Sequence, residues 1–184
     1  MVPRFHAPLA RRGLAEVPLP EDEAHHLRHV LRLRVGDAAV VFDGLGHEWR
    51  ARVSRVDKRG VLMALEEPNV PIAEPPVKVT LGIGVLKGDQ MDAVVRDATM
   101  LGVSAIVPFV SEHVSVPAKG RPRGAAIERW HRVAVSSAKQ CRRAVVPRID
   151  AVMPLDQLLV RWTGEAIVAA VEPPCSSEIG RAHV

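Results

Sequence analysis

A chain of 184 residues, 47% apolar and 25% charged, has the balance of a folded globular protein and room for one large domain or two small ones. Two cysteines, Cys141 and Cys175, exclude a disulfide framework, and 3% aromatics with no tyrosine argue against a nucleic-acid surface built mainly on stacked rings. Net charge is +4, and no apolar run has the length of a signal peptide or a membrane span, so a soluble, reducing, cytoplasmic setting is expected.

The first clear element is a helix. Pro20, Glu21, Asp22 and Glu23 form an acidic first turn, which suits the positive end of a helix dipole. Ala24, Leu27, Val30 and Leu31 then fall on one face at helical spacing. In the same stretch, "HHLRHVLRLR" sets Arg28 and Arg32 one turn apart with His25 and His29 beside them. That pattern is either a solvated face or a ridge for phosphates. The i, i+4 histidines have metal-ligand spacing but no third ligand to complete a set. Strand-like pieces follow, "AAVVFDG", "EWRARVSRV" and "VLMALE", separated by turns at Asp43–Gly46 and "DKRG". Alternation of this kind predicts an antiparallel meander, and with the helix inserted, a small β-barrel over residues 1–70.

"EEPNVPIAEPPVK" holds four prolines in thirteen residues and predicts a linker centred on 71–76. Beyond it the pattern changes to strand–helix repetition, over 77–177. "VKVTLGIGVL" reads as a strand. Asp89 is expected to cap a helix with apolar face Met91, Val94, Val95, Ala98 and Leu101, stopped by Gly102. "VSAIVPFV" has the near-continuous apolar run of a strand buried on both faces. A long helix is expected from Ala125 to Arg143, then a strand "VVPRI", a helix "LDQLLVRW" and a strand "EAIVAAV". Such repetition implies a parallel α/β sheet. Gly82, Gly84 and Gly88 do not make a dinucleotide fingerprint, which disfavours a nucleotide-binding oxidoreductase. Lys87 and Gly88 do stand at a strand's carboxyl end, where open α/β sheets bind ligands.

Charge concentrates in one segment. Lys119 to Arg148 carries nine cations against one acid, Glu128. A local excess of this size draws polyanions through phosphate contacts, although a solvated helix would look similar. Ile127, Trp130, Ala134, Ala138 and Cys141 should pack on the sheet. Arg129, Arg132, Ser136, Lys139, Gln140 and Arg143 form a neighbouring face.

The blocks "HHLRHVLRLRVGD", "VVFDGLG", "LGIGVLKGDQMD", "LGVSAIVPFVSEHV" and "AKQCRRAVVPRI", in this order, resemble the SPOUT-class 16S ribosomal RNA uracil-N3 methyltransferases. The resemblance implies an N-terminal PUA-like RNA-binding barrel and a C-terminal SPOUT α/β domain with a trefoil knot. It further implies S-adenosyl-L-methionine as methyl donor, the 16S ribosomal RNA or small ribosomal subunit as partner, a homodimer, and no metal. By position it assigns Arg28, His29 and Arg32 to RNA; Arg34, Arg129, Arg132, Lys139 and Arg142 join the RNA-facing set on their charge. Gln140 and Arg143 fall at the active site, and Lys87 and Gly88 at the substrate or cofactor edge. Asp97 and Met100 replace a lysine and a glutamate usual in the family, and Lys139 replaces a common glutamate.

After "EAIVAAV" the family carries a Gly-Pro-Glu-Gly loop and an arginine-rich segment that wrap the donor; here "SSEIGRAHV" stands instead. The expectation is therefore a foreign tail at 178–184, a family member lacking its knot, and little cofactor binding by this fragment. The alternative is a non-catalytic RNA-binding chain using the barrel and the basic helix.

Overall fold

The computed structural model describes residues 2–111 and 124–162. Strand β1 is Arg4–His6 and β2 is Glu16–Pro18; helix α1 spans Glu21–His25. Strands β3 (Ala38–Phe42), β4 (Glu48–Asp57) and β5 (Gly60–Asn69) follow. They form one five-stranded sheet in the order β1-β3-β4-β5-β2, antiparallel except for β1 against β3. Register shifts between Trp49 and Ala51 and between Val53 and Arg55 interrupt the β4–β5 ladder, and such bulges bend a strand and raise its twist. Phe5, Val17, Val41, Trp49, Val53, Val61 and Met63 fill the concave side. Ala24 and Leu27 of the helix close it. This is the expected PUA-like unit, as an open half-barrel path of strands.

The helix departs from its expected geometry. From His26 to Leu31 it widens into a π-turn, with the Arg32 N–H donating to the Leu27 carbonyl five residues back. Each π-turn absorbs an extra residue. The positions after Leu27 rotate off the core face, so Val30 is 61% exposed and Leu31 also lies open. Arg32 ends the turn in the left-handed region, φ 53°.

Strand β6 (Thr80–Gly84), helix α2 (Gln90–Met100), β7 (Ala105–Val110) and helix α3 (Gly124–Cys141) build the second half. Two short strands, β8 (Arg148–Ile149) and β9 (Met153–Pro154), and helix α4 (Leu155–Arg161) complete it. Every pairing here is parallel: β6 lies on one side of β7, and β8 and β9 on the other. Central β7 is buried on both faces, as its apolar run predicts. Met91, Val95, Ala98, Ile106, Trp130 and Ala134 form the core between α2, α3 and the sheet. Leu101, expected on that face, is 81% exposed because the helix has ended at Met100. Gly82 and Gly84 sit inside β6. The strand "EAIVAAV", Cys175, the knot and the tail lie outside the described residues.

Gly102 shows why the linker must follow its path. At φ +95° it ends α2, with the Val103 N–H reaching back 3.0 Å to the Ala98 carbonyl. A Cβ there would meet Pro75 Cγ at 2.5 Å. Gly102→Ala combines left-handed strain with a clash against linker proline, and should destabilise by about 1–3 kcal/mol in urea denaturation.

Candidate functional site

The last turn of α3 is where the two halves meet. Ala138 leaves the α/β core and packs with Ala144, Val146 and the barrel's Phe42. The helix stops because Arg142 turns left-handed at φ 63°. The following chain docks on the β3–β4 loop: Val146 N–H donates to the Gly44 carbonyl at 2.9 Å, and Gly46 N–H to the Ala144 carbonyl at 3.1 Å. That loop is preformed. Buried Asp43 accepts from the Leu45 and His47 amides at 2.8 and 3.0 Å and from His47 Nδ1 at 2.7 Å.

Three cations knit this junction. Arg4 donates to the Arg142 and Arg143 carbonyls at 3.1 and 3.2 Å, ion-pairs Glu48 at 2.7 Å, and lies 5.0 Å above the Phe42 ring. It thus caps the α3 terminus from the barrel side. Lys139 Nζ reaches both carboxylate oxygens of Glu23 at 2.8 and 2.9 Å and stands 5.6 Å over Phe5. Arg143, only 6% exposed, binds the Glu74 carboxylate and donates to the Thr99 and Val103 carbonyls at 2.6 and 3.2 Å. Burial raises the Glu23 carboxyl above its ordinary value, opposed by Lys139.

Outside the junction the arrangement is open. His29, Arg32 and Arg34 are exposed, and His25 and His29 stack with centroids 4.5 Å apart. Half-buried Arg28 donates to the Ala24 and Asp57 carbonyls at 3.3 and 3.2 Å, with no carboxylate partner among the described residues. Arg132 and Gln140 on α3 and Arg142 just past its end are exposed, and the two arginines have no ion pair among the described residues. Arg129 pairs with Asp89 at 2.6 Å and with Asp92. Lys87 and Gly88 are exposed, with open space where a Gly88 Cβ would stand. A cleft of about 520 Å³ separates the barrel from α3, lined by His6, Asp43, Leu45, His131, Val146 and Ile149 among others. Among the described residues no group of three or more His, Cys, Asp or Glu could hold a metal ion, and no helix is long and apolar enough to cross a membrane.

A family model described as an RNA methyltransferase domain matches residues 73–179, and one described as an RNA methyltransferase PUA domain matches 19–65. The chain belongs to this RNA methyltransferase family. "Ribosomal RNA small subunit methyltransferase E" of Synechocystis is 32% identical over 158 residues, 84% of this chain and 49% of its own length. The Bacillus subtilis protein of the same name is 29% identical over 181 residues, 96% of this chain and 71% of its own. The chain thus spans about half the length of the first relative and more of the second. A structure of the Neisseria gonorrhoeae methyltransferase E bound to S-adenosyl methionine superposes with a TM-score of 0.78 at 29% identity, covering 86% of this chain and 65% of that one. A Legionella pneumophila methyltransferase holding the same cofactor gives 0.84 at 25%, covering 96% and 73%.

Within this family member, three expectations are corrected. Lys139 does not face solvent ready for RNA; its ammonium is half-buried against Glu23. Arg143, expected at the active site, does not present a free guanidinium, because Glu74 and two carbonyls engage it. Asp89 makes no side-chain cap on α2; its carboxylate turns to Arg129, which is therefore neutralised. Glu74 and Arg4 were not singled out from the sequence, and Glu23 only as part of an acidic first turn. One signal was available: a segment with nine cations and a single acid must find carboxylates elsewhere in the chain if any of its cations is buried.

Two outcomes test this geometry. Arg143→Met leaves Glu74 and two carbonyls without their donor, so it should cost about 3–5 kcal/mol in urea denaturation. Burial lowers His6, with the Asp43 backbone bond opposing and His131 adding to the effect. Its folded value lies below 6.5, so between the two the unfolded chain binds more protons, and the stability due to neutral His6 is lost as pH falls from 6.5 through the folded value. His6→Gln should flatten the loss of stability as pH drops under 6.5.

Proposed function

We propose that this chain acts in the N3 methylation of a uridine in 16S ribosomal RNA of the small subunit, with S-adenosyl-L-methionine as donor and a homodimer as the working form. The carrying observation is the pairing of two arginine sets, half-buried Arg28 with exposed Arg32 and Arg34 on the half-barrel and exposed Arg132 and Arg142 on α3 and just past its end, across one interlocked junction. The names of the relatives and the cofactor in both superposing structures support the substrate and donor. Division into a barrel over 1–70, a linker over 71–76 and a methyltransferase unit over 77–177 is part of the same proposal.

S-adenosyl-L-methionine, when bound, supplies an electrophilic methyl group. The carboxyl edge of β6 suits a ligand, because Lys87 and Gly88 are exposed and Gly88, at φ +57°, leaves open space beside it. The chain's own residues contribute position. Arg28, Arg32, Arg34, Arg132 and Arg142 bind phosphates and hold the RNA in register. Gln140 offers an amide donor and acceptor to the uracil edge, which fixes the base for an in-line displacement. The N3 proton must leave as the new bond forms, and general-base help with such a step is typically worth about 10²–10⁴-fold.

Small ribosomal subunits lacking the modification, incubated with tritiated S-adenosylmethionine and the protein, should yield labelled N3-methyluridine on nucleoside analysis. Label in another nucleoside, or none, contradicts the proposal. A second reading, RNA binding without catalysis, predicts binding alone. Under either reading, Arg28→Ala and Arg32→Ala should each weaken RNA binding and lower the slope of affinity against salt by about 1. Unchanged slopes would show that both arginines are only solvated.

A further inference from the structure

We infer that Glu23 and Lys139 form a positioning pair that sets the spacing between the half-barrel's arginine ridge and the Gln140 end of α3, so that Lys139 acts on RNA without touching it. The inference rests on the proposed RNA function for its consequence, and on geometry for its mechanism.

Four observations carry it. The pair is bidentate, at 2.8 and 2.9 Å, and buried, with side-chain exposures of 20% and 7%. It joins residues 116 apart in sequence, one on α1 and one on α3, so it measures the distance between the halves directly. Glu23 is held from a second side, because its carboxylate also accepts the His6 amide of β1 at 3.3 Å, and Lys139 is held over Phe5. His6 and Phe5 both belong to β1, so the half-barrel grips the carboxylate and the ammonium alike, and α3 is tied to it through the Lys139 stem. Finally, each member adjoins residues assigned to RNA. Arg28 follows Glu23 by five positions, about 8 Å along a helix at 1.5 Å per residue, and Gln140 directly follows Lys139.

The physical argument is one of effective concentration. Two weak RNA surfaces on one chain act together only when their spacing matches that of the bound strand, and a loosened link spreads that spacing. Arg4 and the Gly44–Val146 contacts hold the α3 terminus, but they lie on β1 and the β3–β4 loop. Among the ion pairs of the described residues, Glu23–Lys139 alone ties α1, which runs on into the π-turn that carries Arg28, to α3.

The test uses Lys139→Met, Lys139→Glu and the exchange Glu23→Lys with Lys139→Glu, all in the 184-residue chain. The probe is a fluorescein-labelled RNA hairpin with unpaired uridines in its loop. Lys139→Met should weaken binding by about tenfold with an unchanged salt slope, and the exchange should restore most of the affinity that Lys139→Glu loses. A slope reduced by about 1, with no rescue by the exchange, would mean that Lys139 contacts phosphate and would overturn the inference. A lowered Tm with unchanged affinity would also overturn it, since the pair would then serve stability alone. An RNA-independent measurement separates failure of the function from failure of the geometry. With Cys141 and Cys175 changed to serine, spin labels at Lys58 and Gln157 should report one narrow distance. Lys139→Met should broaden it and the exchange should narrow it again. If the unaltered chain fails to bind the hairpin, the proposed function fails, and this distance distribution decides the positioning claim by itself. A distribution that Lys139→Met leaves unchanged contradicts that claim.

Discussion

Burial of positive charge at the end of α3 is the constraint around which the molecule is organised. Arg4, Lys139 and Arg143 are each withdrawn from water at one junction, and each must meet a carboxylate or helix carbonyls to be stable there. Glu48, Glu23 and Glu74 meet that need from three different places: strand β4, helix α1 and the proline-rich linker. A single helix terminus thereby fixes the half-barrel, the linker and the parallel sheet in one arrangement. Removing one partner strands a buried charge, whereas surface ion pairs such as Arg52–Glu66 contribute little.

This arrangement sorts the basic residues into two populations. Cations that face inward hold the halves together, and those that face outward are left for a polyanion. Arg32, Arg34, Arg132 and Arg142 belong to the second group, while Lys139, Arg143 and the neutralised Arg129 do not. The local excess of charge that marks the segment in sequence therefore overstates the RNA-facing surface. Lys139 is instructive. Its ammonium meets the carboxylate of Glu23 rather than a phosphate.

Much of the fold could be read from residue spacing. The apolar run of β7, the Trp130–Ala134 face of α3 and the strand alternation of β3 to β5 all found their expected places, because burial follows the period of the element. The misses share a cause. Val30 and Leu31 left the core when the helix widened, a change set by its closing turn at Arg32 and invisible to a 3.6-residue period. Asp89 gave up its cap for Arg129, forty residues away. Arg143 and Lys139 were assigned from motif position, and their partners lie 69 and 116 residues distant. Long-range pairing leaves no local signature, so the side of the helix on which a cation is buried cannot be taken from the helix alone.

The central claim is that the half-barrel ridge and the Gln140 end of α3 present one composite surface to a single RNA. Photocrosslinking of a thiouridine-substituted RNA hairpin, followed by peptide mapping of the adducts, tests it most directly. Crosslinks from the same RNA to peptides containing His29–Arg34 and to peptides containing Gln140 and Arg142 are expected. Adducts confined to one half of the molecule would contradict a composite surface.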